Sequence, residues 1–147
     1  MPSLADLTQI PACMFTDSEE TWEVLLTLAE SIREVEPGRW YKGALFDTPK
    51  WTPGCKLCAL GAVAENLIHV LSRSELSRSD PYIVERVQEG YEGKFGSRVD
   101  PTAFRTACTI LIRLNDVQQM RFADIYTTAK EAYDEHVATR GGVPANS

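Results

Sequence analysis

Apolar positions recur with the period of a helix over most of this chain. Trp22, Leu25, Leu26, Ala29 and Ile32 fall on one helical face. Asp17 stands where an N-cap would, and Glu20 occupies the place of its capping-box partner. This pattern predicts a helix running to about Val35 and stopped by Pro37-Gly38. Upstream, Leu4, Leu7 and Ile10 suit a short helical stretch before Pro11, and Cys13, Met14 and Phe15 form an apolar plug. Downstream, Leu57, Leu60, Ala64, Leu67, Ile68 and Leu71 predict a second long helix, over 54–72. Thr52-Pro53 would open it, because proline is best tolerated in the first turn. Gly61 lies inside that pattern among alanines, which suggests a second backbone packed close.

The cap-then-proline signature returns at Asp80-Pro81 and Asp100-Pro101. It predicts helices over 81–88 and 101–115, joined by a glycine-rich loop at 90–98. The second of these carries Phe104, Ala107, Cys108, Leu111 and Leu114 on one face. A last helix over 121–140 has Phe122, Ile125, Tyr126, Ala129, Ala132, Tyr133, His136 and Val137 at core spacing, and Gly141-Gly142 ends it. Period-two alternation is almost absent. The expected fold is mainly α: a single-domain bundle of about five helices over 1–140, followed by a disordered tail at 141–147.

The segment that breaks the helical pattern is 38–54. Gly43, Pro49, Pro53 and Gly54 exclude a helix there, yet Trp40, Tyr41, Leu45, Phe46 and Trp51 make it too apolar for a solvated loop. It reads as an ordered Pro/Trp-rich loop ahead of the second main helix, held down by its aromatics, with a short strand near Ala44–Phe46.

The net charge of −6 and dispersed lysines and arginines lack the basic footprint that non-specific nucleic-acid binding needs. No apolar run is long enough to cross a bilayer, and the first twenty residues do not have the layout of a signal peptide. These features place the expected site of action in the cytoplasm, with reduced thiols.

Candidate chemistry gathers around Cys55-x-x-Cys58. Such a pair supplies half of a tetrahedral zinc site or a dithiol motif. A closed zinc site needs further ligands. His69, eleven residues past Cys58, would lie about 16 Å away along one helix. Cys13, Cys108 or His136 would have to be folded in, so the expectation is that no cofactor is bound, with zinc at Cys55 and Cys58 as the alternative. Cys58 with His136 or His69 as base is the remaining catalytic arrangement. The opposing reading is that these cysteines are small core residues and His136 is structural. On the predicted second helix Cys58, Ala62, Glu65 and His69 align, with Asn66 beside them. They form either one wall of a cleft closed by Trp40 and Trp51 or a solvated helix face. The loop at 90–98, with Lys94 and Arg98, matches no phosphate-binding pattern. Asn115-Asp116 suits a helix stop.

Trp40-x-x-Gly43, then Cys58-Ala59-Leu60-Gly61-Ala62, then Asn115-Asp116 before a final amphipathic helix is an order that resembles a family of small proteins of unknown function from actinobacteria and their phages. The resemblance spans roughly 20–137 and implies that Trp40, Gly43, Cys58, Gly61, Ala62, Asn115 and Asp116 belong together. It implies a phage or host-cell context and no mechanism. The functional expectation is a non-enzymatic interaction protein that binds a host or partner protein, using aromatic anchors of the loop. Two alternatives stand beside it. One is a small-molecule or metal site where the loop meets the second helix, drawing on Trp40, Gly43, Trp51, Cys58, Glu65, His69, Asn115 and Asp116. The other is a thiol enzyme using Cys58.

Overall fold

A computed structural model describes residues 18–141 as six helices. The first 17 residues, including Asp17 and Cys13, and the tail 142–147 lie outside the described residues, and so do the readings made for them. Helix α1 (Glu19–Ile32) starts at Ser18, whose hydroxyl accepts the Thr21 N–H at 3.2 Å. The cap is therefore one residue later than the capping-box pattern placed it. Its buried face is Trp22, Val24, Leu25, Leu28, Ala29 and Ile32, with Leu26 only half-buried. A single 3-10 turn (Pro37–Arg39) follows, where Pro37-Gly38 forbids more helix.

The expected helix over 54–72 is not formed. In its place stand α2 (Ala59–Leu67) and a single turn, α3 (Val70–Arg73). Residues 54–58 are drawn instead into pairing with the loop. Leu57 bridges both Trp40 and Phe46, its N–H reaching Arg39 O at 2.6 Å and its carbonyl taking the Tyr41 N–H at 2.8 Å. The Cys58 N–H goes to Leu45 O at 3.1 Å. These tertiary hydrogen bonds hold Cys58 extended and move the helix start five residues downstream of its expected place at 54. The other break, at Ile68 and His69, lets Ile68 turn inward and leaves Leu71 outside the core, 78% exposed. The short strand expected near Ala44–Phe46 reduces to these isolated bridges and one between Lys50 and Ser77.

Helix α4 (Ile83–Phe95) also corrects the sequence pattern. It runs straight through Gly90 and Gly93, so the predicted loop at 90–98 is mostly helix. Gly90 is there for contact. A Cβ would come within 2.5 Å of Leu67 O, so no side chain fits between α4 and α2. Gly96, at φ 70°, is the residue that ends the helix. Helix α5 (Pro101–Asp116) opens as predicted, with the Asp100 carboxylate accepting the Ala103 N–H at 3.0 Å and Pro101 in the first turn. Helix α6 (Phe122–Gly141) lies within a residue of its expected bounds.

The fold is mainly helical, as the pattern predicted. Helix α1 packs along α6 and α5, and α2 is wedged among α1, α4 and α5. The first two turns of α2, Ala59 to Ala64, are buried all round. A helix of small residues in the middle of a bundle lets three neighbours approach at once. The loop 40–58 lies over its N-terminal end.

Candidate functional site

The N-terminus of α2 is where the loop, α2 and the end of α5 meet. Ala59, Leu60 and Gly61 open the helix, and their N–H groups have no intrahelical partner. Two side chains supply acceptors. Cys58 is the N-cap, its sulfur accepting the Gly61 N–H at 3.4 Å. Asn115 reaches across from α5 and accepts the Ala59 N–H at 3.0 Å through Oδ1. The Asn115 Nδ2 group donates to Tyr41 O at 2.9 Å and to Asp116 Oδ1 at 2.8 Å. Asn115 is fully buried. It was expected to mark a helix stop; it sits within the last turn of α5 and ties the loop to α2. Asp116 Oδ1 also accepts the Gly43 N–H at 3.3 Å, and Gly43 has φ 96°, which a side chain would strain.

Gly61 completes the junction. A Cβ on it would lie 2.2 Å from Leu45 O, so the loop backbone rests directly on α2. Trp40 braces the outer side, its indole N–H donating to Met120 O at 2.8 Å and its ring lying 3.6 Å from the Arg121 guanidinium carbon. Trp40, Gly43, Cys58, Gly61, Asn115 and Asp116 are thus brought to one junction by residues as far apart as 40 and 116.

A second cluster holds the far end of the loop. Arg39 pairs with both oxygens of Glu65, at 3.0 and 2.7 Å, and its Nε donates to Cys55 O at 2.9 Å. The Trp51 indole N–H donates to Glu65 Oε2 at 2.8 Å. Burial pushes the Glu65 carboxyl up, and the hydrogen bonds from Arg39 and Trp51 outweigh it, leaving its pKa below the usual range. Glu65 and Trp51 therefore form a loop clamp with Arg39, a residue the sequence pattern had not marked. His69 joins neither cluster. It is exposed, and its Nδ1 accepts the Leu71 N–H at 3.2 Å at the start of α3.

Between the loop and helices α2, α4 and α5 lies a pocket of about 300 Å³. Ala44, Leu45, Leu60, Ile83 and Ile112 give it apolar walls, and Gly43, Cys58, Arg78, Ser79, Asp80 and Asp116 add polar groups. Three of the predicted site residues, Gly43, Cys58 and Asp116, line it. Ile83 and Ile112 were missed because each reads as one more apolar position on a helix. Arg78 was missed because it lies in a polar connector. No family model, curated protein or solved structure matches the chain.

Cys58 is 4% exposed, and burial pushes its thiol up to about 11, with the Asp116 charge adding to the rise and the Gly61 N–H opposing it. Such a thiol stays protonated at neutral pH and is a poor nucleophile. Burial pushes Cys108 up to about 12 in the same way. His136, expected as one candidate base, is engaged elsewhere: it stacks on Trp22 of α1 with ring centroids 4.2 Å apart. Among the described residues no three His, Cys, Asp or Glu side chains converge as metal ligands. Of the loop tryptophans, Trp51 is 9% exposed and Trp40 is half-buried against the core. Among the described residues, the large apolar side chains that face solvent are Leu71, Tyr82, Phe95 and Val117.

Proposed function

We propose that this chain is a non-enzymatic interaction protein, and that the pocket between the loop and helices α4 and α5 receives a side chain of a protein partner. The observation that carries this reading is the pocket itself. It is concave, mainly apolar, and built on backbone that Asn115, Gly61 and Trp40 hold in place. Tyr82 lies between the lining residues Asp80 and Ile83, and Val117 follows Asp116; both are exposed. Exposed apolar groups beside a pocket supply the kind of anchors that interfaces use. They take over the role first assigned to the loop tryptophans. The thiol-enzyme reading is weakened by the buried, protonated Cys58. On the resemblance to actinobacterial and phage proteins, the partner is a host protein and the site of action the host cytoplasm.

Ala44→Trp fills the pocket from an already half-exposed wall. The wild-type chain should retain a discrete partner in affinity capture from the cells that make it. The variant, with unchanged helicity and unfolding midpoint, should lose it. Equal retention of that partner by the filled variant would refute the assignment of this surface. A second reading follows from the volume, which reaches the lower bound of small-ligand pockets. A co-purifying small molecule released on denaturation would favour it.

A further inference from the structure

The polar groups of the pocket are not equally occupied. Asp80 is spent: its carboxylate accepts the Tyr82 N–H at 2.8 Å and lies 3.4 Å from Arg86, and its side chain is 7% exposed. Arg78 donates to the Tyr41 hydroxyl at 3.2 Å through one of its five N–H groups and stays exposed, a donor that takes no cation, and Ser79 adds a neutral hydroxyl. Cys58 is an uncharged thiol already used as a helix cap. Asp116 differs. Its Oδ1 takes two donors, from Gly43 and Asn115, while Oδ2 receives no hydrogen bond from the described residues. A carboxylate oxygen offers two lone-pair sites, so Asp116 presents an open acceptor. It is also the last residue of the 16-residue helix α5, whose C-terminal end carries partial negative charge.

We infer that the pocket recognises a lysine side chain of the partner, with the methylenes against Leu60, Ile83 and Ile112 and the ammonium on Asp116 Oδ2. This rests on the partner-binding reading above and names the group that would enter. The lining carries two carboxylates, Asp80 and Asp116, against one guanidinium, Arg78, so charge complementarity favours a cation over an acid at the Asp116 wall. The occupied Oδ1 selects lysine over arginine, because a guanidinium binds a carboxylate best through both oxygens and only one is free. The net charge of −6 draws basic partners to the molecule as a whole.

The test is a chemical-shift titration of the isotope-labelled full chain at low salt. The probes are one blocked alanine-rich peptide carrying a central lysine and its norleucine, arginine and glutamate counterparts, plus butylammonium as a free amine. The lysine peptide is expected to shift the amides of Gly43, Ala44 and Asp116 and to bind about tenfold more tightly than the norleucine peptide. Asp116→Asn removes the charge while its side-chain oxygen can still accept from Gly43 and Asn115. It is expected to keep the unfolding midpoint and abolish the lysine preference. Norleucine binding as tightly at the same amides would overturn the lysine assignment and leave the pocket as a partner site. Arginine or glutamate binding more tightly than lysine would overturn it likewise. Butylammonium binding as tightly as the peptide would overturn the macromolecular source in favour of a small amine. No shift at these amides with any probe would overturn both this inference and the partner-binding reading.

Discussion

Replacing Asn115 with alanine should be the most damaging single polar truncation in this chain. The side chain is fully buried and makes three hydrogen bonds, to Ala59, Tyr41 and Asp116. The Ala59 N–H is itself buried and, at the start of α2, has no backbone partner to fall back on. An unsatisfied buried donor or acceptor costs about 1–3 kcal/mol. The Ala59 N–H would bear that cost in full and the half-buried Tyr41 carbonyl in part, giving a loss of about 2–4 kcal/mol. That is a large share of the roughly 5–15 kcal/mol that holds a domain together. Urea unfolding followed by circular dichroism should show the midpoint lowered by about 1–2 M, with an unchanged slope. Asn115→Asp should be no better. It keeps the acceptor for Ala59, but it loses the donor to Tyr41 and places a second carboxylate against Asp116 Oδ1. Asn66→Ala is the control, since Asn66 makes one exposed hydrogen bond, to Ser31 O. A loss below about 1 kcal/mol for Asn115→Ala, comparable with ordinary substitutions, would refute the claim that this side chain latches the loop.

Further expectations follow from the same junction. Gly61→Ala sets a Cβ 2.2 Å from the Leu45 carbonyl and should destabilise by about 1–3 kcal/mol despite the better helix propensity of alanine. Gly93→Ala, with open space around its Cβ, should stabilise by about 0.5–1 kcal/mol in the same urea assay. Cys58 and Cys108 should resist iodoacetamide in the folded protein at neutral pH and react in urea, read by peptide mass mapping, because both thiols are buried and protonated. The Glu65 clamp should depend on pH in one direction. A carboxyl whose folded pKa is depressed stabilises above its unfolded value, and that stabilisation is lost as pH falls through the folded one. The stability gap between the wild type and Glu65→Gln should therefore be constant near neutral pH and shrink below the ordinary carboxylate range.

Where local signals and packing agreed, the sequence was a good guide. Helices α5 and α6 begin with a cap or an aromatic and carry long stripes that a bundle core accepts, and both came out within a residue or two. Gly61 was legible as a close-contact glycine because small residues surround it. The failures share one cause: a strong local signal was outcompeted by a distant partner. Thr52-Pro53 is a sound helix opening, yet Leu57 and Cys58 make backbone hydrogen bonds to residues 39–45 instead. Gly90 and Gly93 look like loop, yet Gly90 is needed where α4 crosses the Leu67 carbonyl. Asn115 looked like a stop because its partners, 56 and 74 residues away, leave no trace in its own neighbourhood. The pocket was legible only through Gly43, Cys58 and Asp116. Its apolar walls carry the same residue types as the core, and periodicity does not separate a wall from a core.

Photocrosslinking from the rim of the pocket tests the functional account most directly. A photoreactive phenylalanine analogue placed at Tyr82, at Val117 and at Lys130 samples two rim positions and one exposed site on α6, which contributes nothing to the pocket. Irradiation in the producing cells should join Tyr82 and Val117 variants to the same protein and leave the Lys130 variant unjoined. Capture of that protein from Lys130 alone, or of the same set from all three positions, would contradict the account.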